Sequence, residues 1–160
     1  MEQISLDAVD FELLRELKRD AGLSNVDLAN RVHISAPTCL RRVKRLHESG
    51  LIERQVAILN PHILRASIGS SLIAITEVTL DRQETSTWEQ FEKAVETETM
   101  VQQCYRVSPG PDFILVVHAA QMSDYLDLTQ RLFTRNTNVR NVKAFFCIKR
   151  SKFGAELPLS

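Results

Sequence analysis

The apolar residues change their period near Asn60-Pro61, and that change limits the chain to two unlike halves. Before it, Leu6, Val9, Phe11, Leu13, Leu14 and Leu17 recur close to helical spacing. After it, Leu72, Ala74, Thr76, Val78 and Leu80 alternate with Ser71, Ile73, Ile75 and Thr79, as strand residues do. The chain has 160 residues, 44% of them hydrophobic and 25% charged, which excludes disorder for its bulk and allows one medium domain or two small ones. The change of period favours two, 1–60 and 61–160.

Other classes are excluded by what is missing. No apolar run approaches the roughly 18 residues of a membrane span. The start, Met1-Glu2-Gln3-Ile4-Ser5, has neither the basic nor the apolar region of a signal peptide. Cys39, Cys104 and Cys147 are odd in number and far apart, which argues against a disulfide scaffold and for a reducing cytoplasm. The histidines (His33, His47, His62 and His118) are equally scattered, so no metal site or metal cofactor is expected. There is no nucleophilic triad signature, no phosphate-cradling glycine loop and no His-Glu-x-x-His. His118 and Cys104 stand in apolar strands and read as core, so no catalytic residue is expected and the chain is not read as an enzyme.

In the first half, Asp7 caps a helix reaching about Arg19, and Ser24 caps a short one carrying Val26, Leu28, Ala29 and Val32. After His33-Ile34, Ser35 is a good N-cap and Pro37 falls in the first turn, where its missing N–H is harmless. The third helix ends near Glu48, with Gly50 suited to the position beyond it. Leu51 to Leu59 reads as extended. Three short helices and a strand form the pattern of a winged helix-turn-helix. On the third helix, Leu40, Val43, Leu46 and His47 are expected on the buried face and Thr38, Arg41 and Arg45 on the opposite one, with Arg42 and Lys44 at its margins. Four basic residues and no acid between Thr38 and His47 suit a helix entering a major groove, where arginine can meet guanine bidentately. Ser35, Thr38, Arg41, Arg42, Lys44 and Arg45 are the candidate contacts to double-stranded DNA.

The second half reads as strand 69–81, helix 85–98, strand 100–107, a Pro-Gly-Pro turn at 109–111 and strand 113–120. A helix capped by Ser123 and a last strand, 139–148, complete it. The order βαββαβ is the ferredoxin-like arrangement of a four-stranded antiparallel sheet with both helices on one face. The fold class is therefore α+β, a winged helix-turn-helix followed by a ferredoxin-like domain. Phe113-Ile114-Leu115-Val116-Val117 and Ala144-Phe145-Phe146-Cys147-Ile148 are apolar on both faces, whereas a sheet facing water should alternate. A second copy is the natural cover, so a homodimer built through this sheet is expected; it would also present two recognition helices to two half-sites.

The formal net charge is zero, but the charges are segregated. Segment 31–54 is basic, 77–98 carries seven acids, and 131–152 has seven basic residues and no acid. That last stretch either lines a surface for wrapped DNA or pairs with the acidic segment, and pairing is the favoured reading.

Leu6-Asp7, the run 23–32, Ile34-Ser35, the run 39–46, Gly50-Leu51-Ile52, Leu59-Asn60-Pro61-His62 and Met122-Ser123-Asp124-Tyr125 together carry a resemblance covering nearly the whole chain. It resembles the Lrp/AsnC family of bacterial and archaeal feast/famine transcription regulators. The resemblance implies sequence-specific DNA binding, dimerisation through the sheet, assembly to tetramers or octamers, and a free amino acid as effector between dimers. Closeness to the leucine-responsive branch points to leucine or methionine. The other reading of the chain is an effector-independent architectural protein that compacts DNA.

The family's effector loop usually reads Gly-x-x-Asp after the second strand of this domain. Here the stretch is Val107-Ser108-Pro109-Gly110-Pro111-Asp112, with Asp112 on the family's Asp and Pro109 in place of its Gly. Proline lacks both positive φ and a free N–H. Either Gly110 restores the turn one residue later, or the pocket has changed specificity or been lost. Asp112 either receives a ligand ammonium or is a turn cap. Arg106, Ser108, Gly110, Asp112 and Met122 are the candidate effector residues.

Overall fold

The computed structural model describes residues 5–60, 63, 72–135, 138–154 and 157–158. Two compact units result: the residues up to Ile58 together with those from Lys152 onward, and the residues between. The tail joins the first unit, and Lys18 Nζ donates to the carbonyl of Leu157 at 3.2 Å.

The first unit is built on α1 (Ala8–Arg19), α2 (Asn25–Arg31) and α3 (Ala36–Glu48). Asp7 caps α1 reciprocally: its carboxylate accepts from Asp10 N at 2.9 Å, and Asp10 Oδ2 accepts from Asp7 N at 3.1 Å. Ser24 Oγ accepts from Asp27 N at 3.1 Å, so the second cap is as the sequence suggested. Ser35 is the N-cap of α3, but its hydroxyl meets Thr38 Oγ1 at 2.8 Å rather than a backbone N–H. The turn between α2 and α3 places His33 at φ 55°, and Gly50 follows α3 at φ 75°, where a glycine is unstrained. Leu13, Leu28, Ala29, Val32, Cys39 and Leu46 form the core.

Two expectations fail here. The buried residues of α3 are Cys39 and Leu46, with Val43 half-buried beside them; Leu40 is 60% exposed and His47 is exposed as well, so the helix is rotated from the expected orientation. Cys39 is small enough to sit against α1 and α2, and takes the place expected for Leu40. Leu51–Leu59 forms no strand among the described residues, because none of the four strands pairs with it; Val56, Ile58 and Leu59 are exposed.

The second unit contains β1 (Leu72–Leu80), α4 (Thr85–Glu96), β2 (Val101–Arg106), β3 (Phe113–Ala119), α5 (Met122–Thr129) with a π-helical extension (Gln130–Thr134), and β4 (Val139–Phe146). The sheet order is β2-β3-β1-β4 and every pairing is antiparallel, giving the ferredoxin-like topology. Gln121, not Ser123, is the N-cap of α5, and both its backbone N–H and its side-chain amide donate to the Asp124 carboxylate, at 3.2 and 3.4 Å. β4 ends at Phe146, leaving Ile148 fully exposed. Ala74, Val78, Leu80, Phe91, Phe113, Leu115, Val117 and Leu128 lie between sheet and helices. On the opposite face the register sets Ile75 beside Val116 and Phe145, and Tyr105 beside Ile114. Ile75, Tyr105 and Phe145 are each between 43% and 52% exposed, so this face is apolar and uncovered in the single chain. No helix of the described residues is long and apolar enough to cross a membrane.

Candidate nucleic-acid interface and effector cavity

At about 100° per residue, Arg41 lies nearly opposite the line of buried Cys39, half-buried Val43 and buried Leu46, and Lys44 lies about 130° from it, as far round as Arg45 on the other side. Arg41 and Lys44 are both exposed, and Lys44 Nζ is 3.6 Å from Glu48 Oε1. Ser35 is exposed and Thr38 half-buried at the start of the helix, where base contacts are made in helix-turn-helix domains.

The other two arginines are tied to α1. Arg42 Nη1 donates to both oxygens of Asp7, at 2.9 and 2.8 Å, and to Asp10 Oδ1 at 2.9 Å. These bonds, led by that to Asp7, raise the Arg42 pKa further. Asp7 is in turn held below its ordinary pKa, first by the backbone bond from Asp10 and then by Arg42. The Arg42 side chain is only 22% exposed, and its Nε is buried without a partner among the described residues. Arg42 was expected at a margin of the outer face; it is turned inward because a buried carboxylate stands beneath it. Arg45 Nη2 pairs with the other oxygen of Asp10, while its side chain remains 48% exposed. Asp10 was missed by the sequence reading, although Leu6, Asp10, Leu13 and Leu17 are spaced so that this acid falls on the buried stripe of α1.

The basic residues of 131–152 are partly accounted for by pairing. Arg131 donates to Glu98 through Nε at 3.2 Å and Nη2 at 3.0 Å, and Lys143 Nζ lies 4.7 Å above the Phe145 ring.

In the second unit, Gln83, Trp88, Arg106, Val107, Ser108, Gly110, Pro111 and Asp112 line a cavity of about 330 Å³, within the range of small-molecule sites. Four of the five candidate effector residues therefore come together. Met122, exposed at the start of α5, does not line this cavity. Gly110 has φ 128°, so positive φ occurs one residue after Pro109, as the sequence allowed. Asp112 is buried and accepts from Leu80 N at 2.8 Å, Trp88 Nε1 at 3.1 Å and Gln83 Nε2 at 3.3 Å. Those three donors make it a cap that ties the loop to β1 and α4. Arg106 forks onto Glu92 at 3.0 and 2.6 Å and sits 5.1 Å above the Trp88 ring. Trp88 and Gln83 were not singled out from the sequence; Trp88 lies on the apolar stripe of its helix and reads there as core alone.

Cys104, on the helix side of β2, has its thiol pushed up to about 11 by burial, with Glu92 adding to the shift and Arg106 opposing it. No group of His, Cys, Asp and Glu among the described residues could hold a metal ion.

Comparison with known proteins agrees with both halves. Residues 6–53 match the winged helix-turn-helix DNA-binding family model, and residues 73–157 match the Lrp/AsnC ligand binding domain. The leucine-responsive regulatory proteins of Klebsiella pneumoniae and Escherichia coli K12 are each 36% identical over 147 residues, covering 92% of this chain and 87% of theirs. Among solved structures, a transcriptional regulator from Neisseria meningitidis in complex with L-Met superposes with a TM-score of 0.82 at 27% identity, covering 96% of this chain and 97% of the other. An AsnC family transcriptional regulator from Agrobacterium tumefaciens gives the same TM-score, identity and coverage. The chain belongs to the Lrp/AsnC family of DNA-binding transcription regulators.

Proposed function

We propose that this regulator reads DNA with the outer face of α3 and answers to a free amino acid bound near the 107–112 loop. Arg41 and Lys44 lead the DNA contacts, with Ser35 and Thr38 at the helix start and Arg45 at the side; Arg42 acts from beneath, as the link to α1. The observation that carries this reading is the exposure of Arg41 opposite the buried Cys39–Leu46 line, with the exposed Lys44 on its flank. Two copies joined through the open sheet face, around Ile75, Tyr105, Ile114 and Phe145, would supply two recognition helices for two half-sites. Further assembly to tetramers or octamers and a cytoplasmic location are in keeping with such a regulator.

For the effector, the cavity beside Trp88 and Arg106 supports a small zwitterion whose carboxylate meets a cation. Asp112 already accepts three internal hydrogen bonds. Its remaining acceptor capacity sets how an ammonium could be received, and a second copy or Met122 would complete the site. Methionine is supported by the L-Met complex of the Neisseria regulator, and leucine by the names of the curated relatives. Thermal unfolding against each of the twenty amino acids at millimolar concentration tests this. A ligand at 100 times its Kd adds about 2.7 kcal/mol to stability, so methionine or leucine should raise the melting temperature selectively. No shift with any amino acid would remove the effector from the account.

A further inference from the structure

We propose that Asp10 is a positioning residue for DNA recognition, holding the Arg45 guanidinium so that its remaining N–H groups meet a base pair in one orientation. The inference rests on α3 being the DNA-facing helix. Among the described residues of the first unit, Asp10 is the charged side chain that folding buries completely. Its carboxylate bridges three groups: the Asp7 N–H at 3.1 Å, Arg42 Nη1 at 2.9 Å, and Arg45 Nη2.

The two arginines are held differently. Arg42 is committed to Asp7 and Asp10 and is largely covered. Arg45 is 48% exposed, and its hydrogen bond to Asp10 uses Nη2, leaving Nη1 and Nε as donors. An arginine fork is planar, so fixing one nitrogen to a buried acceptor restricts the plane in which the others donate. The rotamer freedom that a free arginine would lose on binding is then already lost in the unbound protein. The same carboxylate offsets part of the arginine's charge, which makes Arg45 a weaker general phosphate anchor and a more directional donor to base edges. Asp10 thereby acts on discrimination between sequences more than on affinity for DNA as such. A role in packing alone would lower binding to every duplex equally.

The test uses the full chain with two DNA probes: a duplex selected by the wild type from a random-sequence library, and a scrambled duplex of equal length and composition. Asp10→Asn should lower the ratio of affinities, selected over scrambled, by about tenfold, the loss falling on the selected duplex. Its salt slope on the scrambled duplex should steepen by about one, as the released arginine becomes a phosphate counter-charge. Arg45→Lys keeps the charge but lacks the fork, and should lose the same ratio; it carries the test if Asp10→Asn does not fold. Equal losses on both duplexes, or an unchanged ratio in Arg45→Lys, would overturn the proposal. A wild type that enriches no duplex would instead overturn the reading of α3, and the proposal with it.

Discussion

Arg42 Nη1 lies 2.9 Å from Asp10 Oδ1, so an arginine in the middle of α3 serves to join that helix to α1. The acid is almost wholly buried and the arginine mostly so. A buried carboxylate is tolerated only when paired, and the pair matters most when one member is removed. Stability and the proposed DNA contact are thus divided between adjacent residues of α3, with Arg42 beneath and Arg41 outside.

Arg42→Ala should therefore destabilise the protein by about 3 kcal/mol, because it leaves Asp10 buried with less of its charge compensated. Arg41→Ala should stay within about 0.5 kcal/mol of the wild type, as exposed substitutions usually do. Urea unfolding of the two variants checks this, and equal midpoints would contradict the division of roles.

Asp112→Ala should lower stability by about 2 kcal/mol with no amino acid present, since the Leu80 N–H, the Trp88 indole and the Gln83 amide lose their shared acceptor. An unchanged melting curve of the unliganded variant would mean that the three hydrogen bonds contribute nothing to the fold.

The cysteines should differ in reactivity. Burial raises the pKa of Cys39, and that of Cys104 reaches about 11, whereas Cys147 is exposed. The thiolate is the reacting form, so iodoacetamide at pH 8 should label Cys147 first, then the other two only as the protein opens. Peptide mapping by mass spectrometry reads the order.

His118 should make stability fall as the solution is acidified. Burial, helped by Arg150, holds its pKa below the ordinary value of 6.5. Below pH 6.5 the unfolded chain then takes up a proton that the folded protein does not, and stability is lost as pH falls through the interval down to the folded pKa. His118→Gln should flatten this part of the melting-temperature profile between pH 7 and 5. An identical profile would contradict the shift.

Much of this architecture is legible in the sequence because local signals agree with each other. Asp7, Ser24 and Gly50 mark helix ends through their own backbone chemistry, and the alternation in 72–80 sets the face of β1. What escapes is decided by neighbours distant in the chain. The rotation of α3 follows from what fits against α1 and α2, and Cys39 fits where Leu40 was expected. Arg42 and Arg45 look alike as letters, and only the position of Asp10 beneath them separates a buried tie from an exposed donor. Leu51–Leu59 has strand composition, but a strand also needs a paired neighbour, which no periodicity supplies. In the cavity, Asp112 was visible from its loop, whereas its donors Trp88 and Gln83 come from the segment after β1 and are brought there by the fold.

On the proposed function, α3 binds DNA through its outward cations. The most direct measurement is the affinity of the full chain for its library-selected duplex, by fluorescence anisotropy across a series of salt concentrations, for wild type and Arg41→Ala. Wild-type affinity should fall steeply with salt, and Arg41→Ala should lose about 1–3 kcal/mol at fixed salt. A salt-insensitive complex, or equal affinity of the two proteins, would contradict that function.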